Sequence, residues 1–183
     1  TANNNSAFGY AALGANTTGT ANTSVGRSAL SKNTTASNNT AVGYLAMLEN
    51  TTGTNNVAVG RNASQSSVTG TKNTALGDSA LYSNTASNNT AVGADALLAN
   101  TTGTQNVAVG DYSLDANTTA SNNTAVGHAA LSDNTTGAQN TAFGHTALGD
   151  TTTGANNIAV GYRALRLNST GGNNVAIGRD ALY

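Results

Sequence analysis

The sequence predicts an all-β fold, a parallel β-solenoid or β-roll of about eleven 17-residue coils. Three observations predict it: a strict period, too few bulky apolar residues for an ordinary core, and fixed Asn, Thr and Gly positions within each period. The glycine that closes each Ala-Val-Gly element recurs at Gly9, Gly26, Gly43, Gly60, Gly77, Gly93, Gly110, Gly127, Gly144, Gly161 and Gly178. Every interval is 17 residues except the 16 from Gly77 to Gly93, where Thr85-Ala86-Ser87-Asn88 lacks a threonine present in Thr118-Thr119-Ala120-Ser121-Asn122. A loss that leaves the phase intact belongs in a turn. Residues 1–183 therefore read as one repeat domain, expected to be a segment of a longer fibrous protein.

Composition narrows the function classes. Net charge is −1 with 8% charged residues, so no electrostatic case exists for nucleic acid. Usual disorder is excluded, because that state combines high net charge with no regular apolar spacing. No apolar run is long enough to insert in a membrane, and with no cysteine there is neither a disulfide framework nor a thiolate site.

Numbered from its asparagine, the unit reads Asn-Thr-Ala-Val-Gly-x-x-Ala-Leu-x-x-Asn-Thr-Thr-Gly-x-x, and each column carries a structural demand. Seventeen residues are too few for paired helices, so two short extended segments joined by tight turns are expected. Column 4 (Phe8, Val42, Leu76, Phe143, Ile177 among others) is expected to point into the lumen, and column 2 to share that side by strand alternation. Column 9 is Leu or Met except at Ser64 and supplies a second plug. Column 1 is Asn5, Asn22, Asn39, Asn56, Asn73, Asn89, Asn106, Asn123, Asn140, Asn157 and Asn174, an expected ladder in which each amide donates to one neighbour and accepts from the other. A less perfect ladder runs through Asn16, Asn33, Asn50, Asn84, Asn100, Asn117, Asn134 and Asn168 in column 12. The column 5 glycines read as corners needing positive φ or close backbone approach.

Columns 3 and 8 are Ala almost throughout, with Ser24 and Ser113 as exceptions. Alternation puts column 3 outside the coil, where its restricted size implies that another chain packs against it. All Asp, Glu and Arg, Lys32 and all six Tyr fall in columns 6, 7, 10 and 11, leaving Lys72 as the exception. Those columns form the candidate outer binding surface, represented by Tyr10, Arg27, Tyr44, Arg61, Asp111, Tyr112, Tyr162, Arg163 and Arg166.

Catalytic chemistry finds no support in the pattern. His128 and His145 stack in one column with Asp111 one coil away, but a metal site lacks a consistent further ligand, so solvated imidazoles are the preferred reading. Asp95, Asp115, Asp133 and Asp150 read as surface carboxylates, with no recurring acid pair. The Asn-x-Thr triplets, such as Asn16-Thr17-Thr18, match the glycosylation pattern through the repeat itself. The chain is not expected to be an enzyme or to hold a cofactor or metal.

At Asn56-Val57-Ala58-Val59-Gly60-Arg61-Asn62-Ala63-Ser64 and Asn174-Val175-Ala176-Ile177-Gly178-Arg179-Asp180-Ala181-Leu182 the chain resembles the head repeat of YadA-type trimeric autotransporter adhesins. The full unit, as in Asn89-Thr90-Ala91-Val92-Gly93 through Asn100-Thr101-Thr102-Gly103, is similar to repeats of phage tail fibres and large bacterial surface proteins. The likeness spans the chain at the Val-Ala-Ile-Gly-x-x-Ala core and departs from the adhesin head in its longer Asn-Thr-Thr-Gly turn. The resemblance implies a left-handed β-roll, a homotrimer meeting through the Ala-column faces, and attachment to a host-surface or matrix receptor or a glycan. It also implies an extracellular place, on a cell surface or a virion fibre.

The expected function is thus a structural or adhesive fibre segment. A rod of ten coil steps at about 4.8 Å is near 50 Å long. The alternative is an ice-binding solenoid, favoured by the Thr17, Thr34, Thr51, Thr85, Thr101, Thr118, Thr135 and Thr152 rank on a sparsely charged surface.

Overall fold

The computed structural model describes residues 2–183 and contains one parallel sheet of eleven strands in sequence order, β1 (Ser6–Phe8) through β11 (Val175–Ile177). Each coil contributes one strand of three residues, paired in register with the next, as in Thr40↔Val57, Ala41↔Ala58 and Val42↔Val59. The 17-residue parallel β-solenoid therefore stands, with no helix among the described residues. The 16-residue coil loses its residue outside any strand, in the 85–88 turn.

The second extended segment expected in each coil is absent. Columns 5–11 form a layer of stacked turns instead, in which columns 7 and 9 take left-handed backbone, for example Ser28 (φ 58°) and Leu30 (φ 48°). Left-handed backbone is unfavourable for a residue such as leucine, so neighbouring coils must enforce it. They do so by hydrogen bonds in both directions along the stack. Ser28 N–H donates to the Tyr10 carbonyl of the preceding coil at 2.8 Å, and Leu30 N–H donates to the Ala46 carbonyl of the next at 3.0 Å. Turns within the coil add Ala29 N–H to the Gly26 carbonyl at 3.4 Å and Asn33 N–H to the Leu30 carbonyl at 3.1 Å. The turn layer is thereby knitted without becoming a sheet.

The sheet faces the opposite way from the sequence expectation. Column 3 points inward: Ala41, Ala58, Ala75, Ala91, Ala108, Ala125, Ala142 and Ala159 are fully buried within their own chain. Columns 2 and 4 point outward, leaving Val57 and Val59 each 38% exposed, Ile158 43% and Phe143 55%. Hence Phe8, Val42, Leu76, Phe143 and Ile177 are not lumen plugs, and the Ala columns are not a face for another chain. The reason is the width of the lumen. Ser24 in column 3 donates its hydroxyl to the Ala29 carbonyl of the same coil at 2.7 Å, so strand and turn layer are separated by little more than a small side chain. Column 9 already places Leu30, Met47, Leu81, Leu97, Leu114, Leu131 and Leu148, all fully buried, in that space. A valine opposite each would overfill it.

Asparagine completes the core. In column 1 the ladder joins side chain to backbone throughout, with the expected amide-to-amide bonds only from Asn157 to Asn140 and from Asn174 to Asn157. Asn106 Oδ1 accepts the Asn123 N–H at 3.0 Å, while Asn106 Nδ2 donates across the coil to the Ala120 carbonyl at 2.9 Å. The same pair of bonds recurs from Asn5 to Asn140, so each of these asparagines ties its coil shut and to the next. Amide-to-amide stacking is found mainly in column 12, as in Asn117 Nδ2 to Asn100 Oδ1 at 2.8 Å and Asn134 Nδ2 to Asn117 Oδ1 at 3.0 Å. Where Ser67 and Thr151 replace asparagine, that ladder stops, and Asn50 Oδ1 and Asn134 Oδ1 are buried without a hydrogen-bond partner. The column 5 corners meet both demands placed on them, with φ from 124° to 140° at all eleven glycines.

Candidate functional site

Each coil exposes column 6 immediately after its corner glycine, so identical positions stack into a stripe along the rod. Parallel in-register pairing decides which side chains meet. Arg27 lies between Tyr10 and Tyr44, its guanidinium 5.9 Å from each ring centroid, a spacing suited to cation–π attraction. Arg61 pairs with Asp78 of the next coil at 2.7 Å. The hydrogen bond and charge of Arg61 lower the Asp78 carboxyl below its ordinary range, and Asp78 in turn raises Arg61. Both groups lie at the surface, so this pair contributes little to stability. Asp111 Oδ1 accepts the Ala94 backbone N–H at 2.8 Å, which occupies that carboxylate with capping a neighbouring coil.

The second half of the stripe is aromatic. Tyr112 meets the His128 ring edge-on at 5.9 Å, His128 stacks on His145 at 5.1 Å, and His145 stacks on Tyr162 at 5.4 Å. Arg163 and Arg179 approach the Tyr162 ring at 5.0 and 5.4 Å. The ring faces of His128, His145 and Tyr162 are consequently turned toward one another along the stack. Among the described residues no three His, Asp or Glu side chains converge on one point, so Asp111 and the two histidines do not form a cluster able to hold a metal ion.

Of the nine residues proposed as an outer surface, six lie in column 6 and two, Tyr112 and Arg163 of column 7, adjoin it through their contacts with His128 and Tyr162. Tyr10, Arg27, Tyr44 and Arg61 form the first part of the stripe; Asp111 and Tyr162, with Tyr112 and Arg163 beside the column, belong to its second. Arg166 stands apart in column 10, 3.5 Å from Asp150; the similar pair of Lys32 with Glu49 at 2.7 Å lies near the other end of the rod. Asp115 is not the simple surface carboxylate expected of it. It is half-buried, and burial is the largest influence, raising its carboxyl above the usual range, with Asp133 and Asp95 in adjacent coils adding to the rise.

A raised value means that the folded chain holds the Asp115 proton more tightly than the unfolded chain does. The contribution to stability is therefore full below the ordinary aspartate range and is lost as pH rises through the folded value. Asp115→Asn is expected to be more stable than the parent at about pH 7 and indistinguishable from it at about pH 3, as urea midpoints at both pH values would show. A variant less stable at neutral pH would contradict this assignment.

The second candidate surface is the outer face of the sheet, which the sequence reading had turned inward. Column 2 (Thr23, Thr40, Val57, Thr74, Thr90, Val107, Thr124, Thr141, Ile158 and Val175) forms one rank, and column 4 (Val25 through Ile177) forms the other. The ranks lie about 7 Å apart, with successive members about 4.8 Å apart. Neither contains a charged residue. Thr side chains in column 2 are half-buried, while Val25, Val107 and Val175 are exposed. An uncharged strip roughly 50 Å long and about 10 Å wide covers about 500 Å², comparable to the largest apolar patch of a typical soluble monomer, which is often functional. The signal for this face was present in the sequence as two uncharged columns flanking an Ala column of fixed size. No family model, curated protein or solved structure matches the chain.

Proposed function

We propose that the chain is a structural and adhesive segment of an extracellular fibre, on a cell surface or a virion, in which three copies pack through the Thr/Val face of the sheet. The single observation that supports this reading most is the continuous, uncharged pair of outward-facing ranks along the rod, half-buried at their threonines and exposed at Val25, Val57, Val59, Val107 and Ile158. Burying such a strip removes apolar area from water, and its regular spacing lets identical ranks interdigitate. The copy number is the one implied by the resemblance to trimeric adhesin heads. With the sheet face covered, the column 6 stripe stays accessible and is the surface left for a receptor or glycan. This role needs no catalysis, and the chain is read as a non-enzyme.

Val109→Lys/Val126→Lys places two charges in the middle of column 4 and is expected to reduce the assembly to single chains. Thr119→Lys/Thr136→Lys, in exposed column 14, is expected to leave it intact. Sedimentation velocity on both variants checks this, and dissociation by the second but not the first would overturn the proposed face.

One observation favours a second reading, ice binding. Thr23, Thr40, Thr74, Thr90, Thr124 and Thr141 stand outward in one in-register rank beside the valine rank, on an uncharged β-face. The rank proposed from the sequence, Thr17 through Thr152, instead spends its hydroxyls on the coil above, as Thr17 Oγ1 does on the Thr34 carbonyl at 3.0 Å. Ice binding needs the sheet face open, so a single-chain rod showing thermal hysteresis would favour it over the assembly.

A further inference from the structure

Coil 4 (residues 56–72) departs from its neighbours in three columns, and all the departures bear on the same side of the rod. In column 9 it carries Ser64 where every other coil has leucine or methionine, and in column 12 Ser67 stands in the asparagine ladder. Both hydroxyls are buried without a hydrogen-bond partner, and so is Asn50 Oδ1, which faces Ser67 across the ladder from coil 3. In column 13 Val68 replaces the usual threonine. Its N–H forms no bond to coil 5, whereas Thr17, Thr34, Thr51, Thr85, Thr101, Thr118, Thr135 and Thr152 all donate from that column to the next coil.

Coil 5 (residues 73–88) compounds the defect. It is the 16-residue coil, shortened in the turn that would receive Val68. Its Asn84 donates within its own coil to the Ala86 carbonyl at 2.8 Å, with no amide bond to Ser67. On the sheet side the same junction is complete. Val57 N–H donates to the Asn73 carbonyl at 2.9 Å, Gly77 N–H donates to the Val59 carbonyl at 2.8 Å, and Asn73 N–H donates to Asn56 Oδ1 at 2.9 Å. Buried polar groups left unpaired destabilise the folded state, and a missing leucine removes apolar packing, so both deficits favour local opening.

We infer that the junction of coils 4 and 5 is a hinge built into the rod: its turn edge opens while its strand pairing holds, so the rod yields there before elsewhere. Such a joint divides the solenoid into a short block and a long one and gives a fibre a fixed point of compliance. In a stack stabilised only by nearest-neighbour contacts, one weak interface is enough to do this.

Hydrogen exchange on the intact 183-residue chain tests the hinge, because each edge of the junction has its own reporters. Ser64 and Ser66 donate across the turn edge to Ala80 and Tyr82, as Leu97 and Ala99 do to Ser113 and Asp115 at the junction of coils 6 and 7. The Ser64 and Ser66 amides are expected to exchange at least about tenfold faster than Leu97 and Ala99, while Val57 and Gly77 on the sheet edge exchange as slowly as Thr90 and Gly110. Ser64→Leu/Ser67→Asn is expected to slow Ser66 toward the rate of Ala99. Leu114→Ser/Asn117→Ser, which copies the defect into coil 7, is expected to accelerate Ala116. Equal exchange at both junctions, equally fast exchange at Val57, or no response of Ser66 or Ala116 to these variants would each overturn the proposal.

Discussion

Replacing Asn106 with alanine is expected to destabilise the chain by about 2 to 4 kcal/mol, far more than its polar character suggests. The buried Asn123 N–H loses its partner, and the Ala120 carbonyl is left with only the Asn117 amide. The orphaned N–H costs about 1 to 3 kcal/mol, and the lost second bond to the carbonyl and the vacated volume add to it. Asn106→Asp separates geometry from chemistry. It keeps the shape and can still accept from Asn123, but it sets a second carboxylate oxygen against the Ala120 carbonyl and buries a charge. The aspartate variant is expected to be the less stable of the two at about pH 7 in urea denaturation. An alanine variant within about 0.5 kcal/mol of the parent would contradict the role given to this ladder.

Gly93→Ala is expected to prevent coil 6 from closing, an effect of about 3 kcal/mol or more. Gly93 has φ +132°, where non-glycine residues are strained, and a Cβ there would stand 2.6 to 2.8 Å from the backbone of Gly110 and Asp111. Neither obstacle can move, because both belong to the neighbouring coil's own corner. Gly103→Ala makes the contrast. A Cβ on Gly103 would also be crowded, by the Ala120 carbonyl and Asn100, yet Ala36, Ala86 and Ala120 occupy the equivalent position in other coils. That column accommodates a methyl group by small shifts, so Gly103→Ala should fold with near-parental stability. Circular dichroism melting of the two variants side by side distinguishes them.

The parts of the fold legible in the sequence are those in which a residue type answers one backbone demand. The corner glycines have no substitute at φ near +130°, so their spacing gave the period and the number of coils. Asparagine tolerates left-handed backbone, which explains column 17, where Asn38, Asn55, Asn122 and Asn156 have φ between 60° and 63°. Leu30, Leu97 and Leu131 take the same conformation against their preference, so no residue signal could have exposed the stacked turn layer. The packed leucine plug and the bonds to both neighbours hold them there.

Which face of the strand turns inward was the decisive ambiguity. Alternation sorts Thr-Ala-Val into two sides but leaves open which one is core, and apolar bulk favours valine. Lumen width reverses that choice. The invariance of the Ala columns was a true sign of tight packing, but the contact is with the same chain's own turn layer rather than with another chain. For the candidate site, the column 6 stripe was visible because its residues vary in charge and size. The sheet face was hidden by being read as interior. Arg166 and Asp115 are less exposed than expected because column 10, in which both lie, is only partly solvated, a property set by the neighbouring turns.

The central claim is that the outward Thr/Val face is a surface for other copies of the chain. The mass of the unmodified 183-residue chain in solution, by sedimentation equilibrium, tests it most directly. A species of three chains, unchanged on dilution across the micromolar range, is the predicted result. A stable, compact single chain of 18.0 kDa at every concentration would contradict it.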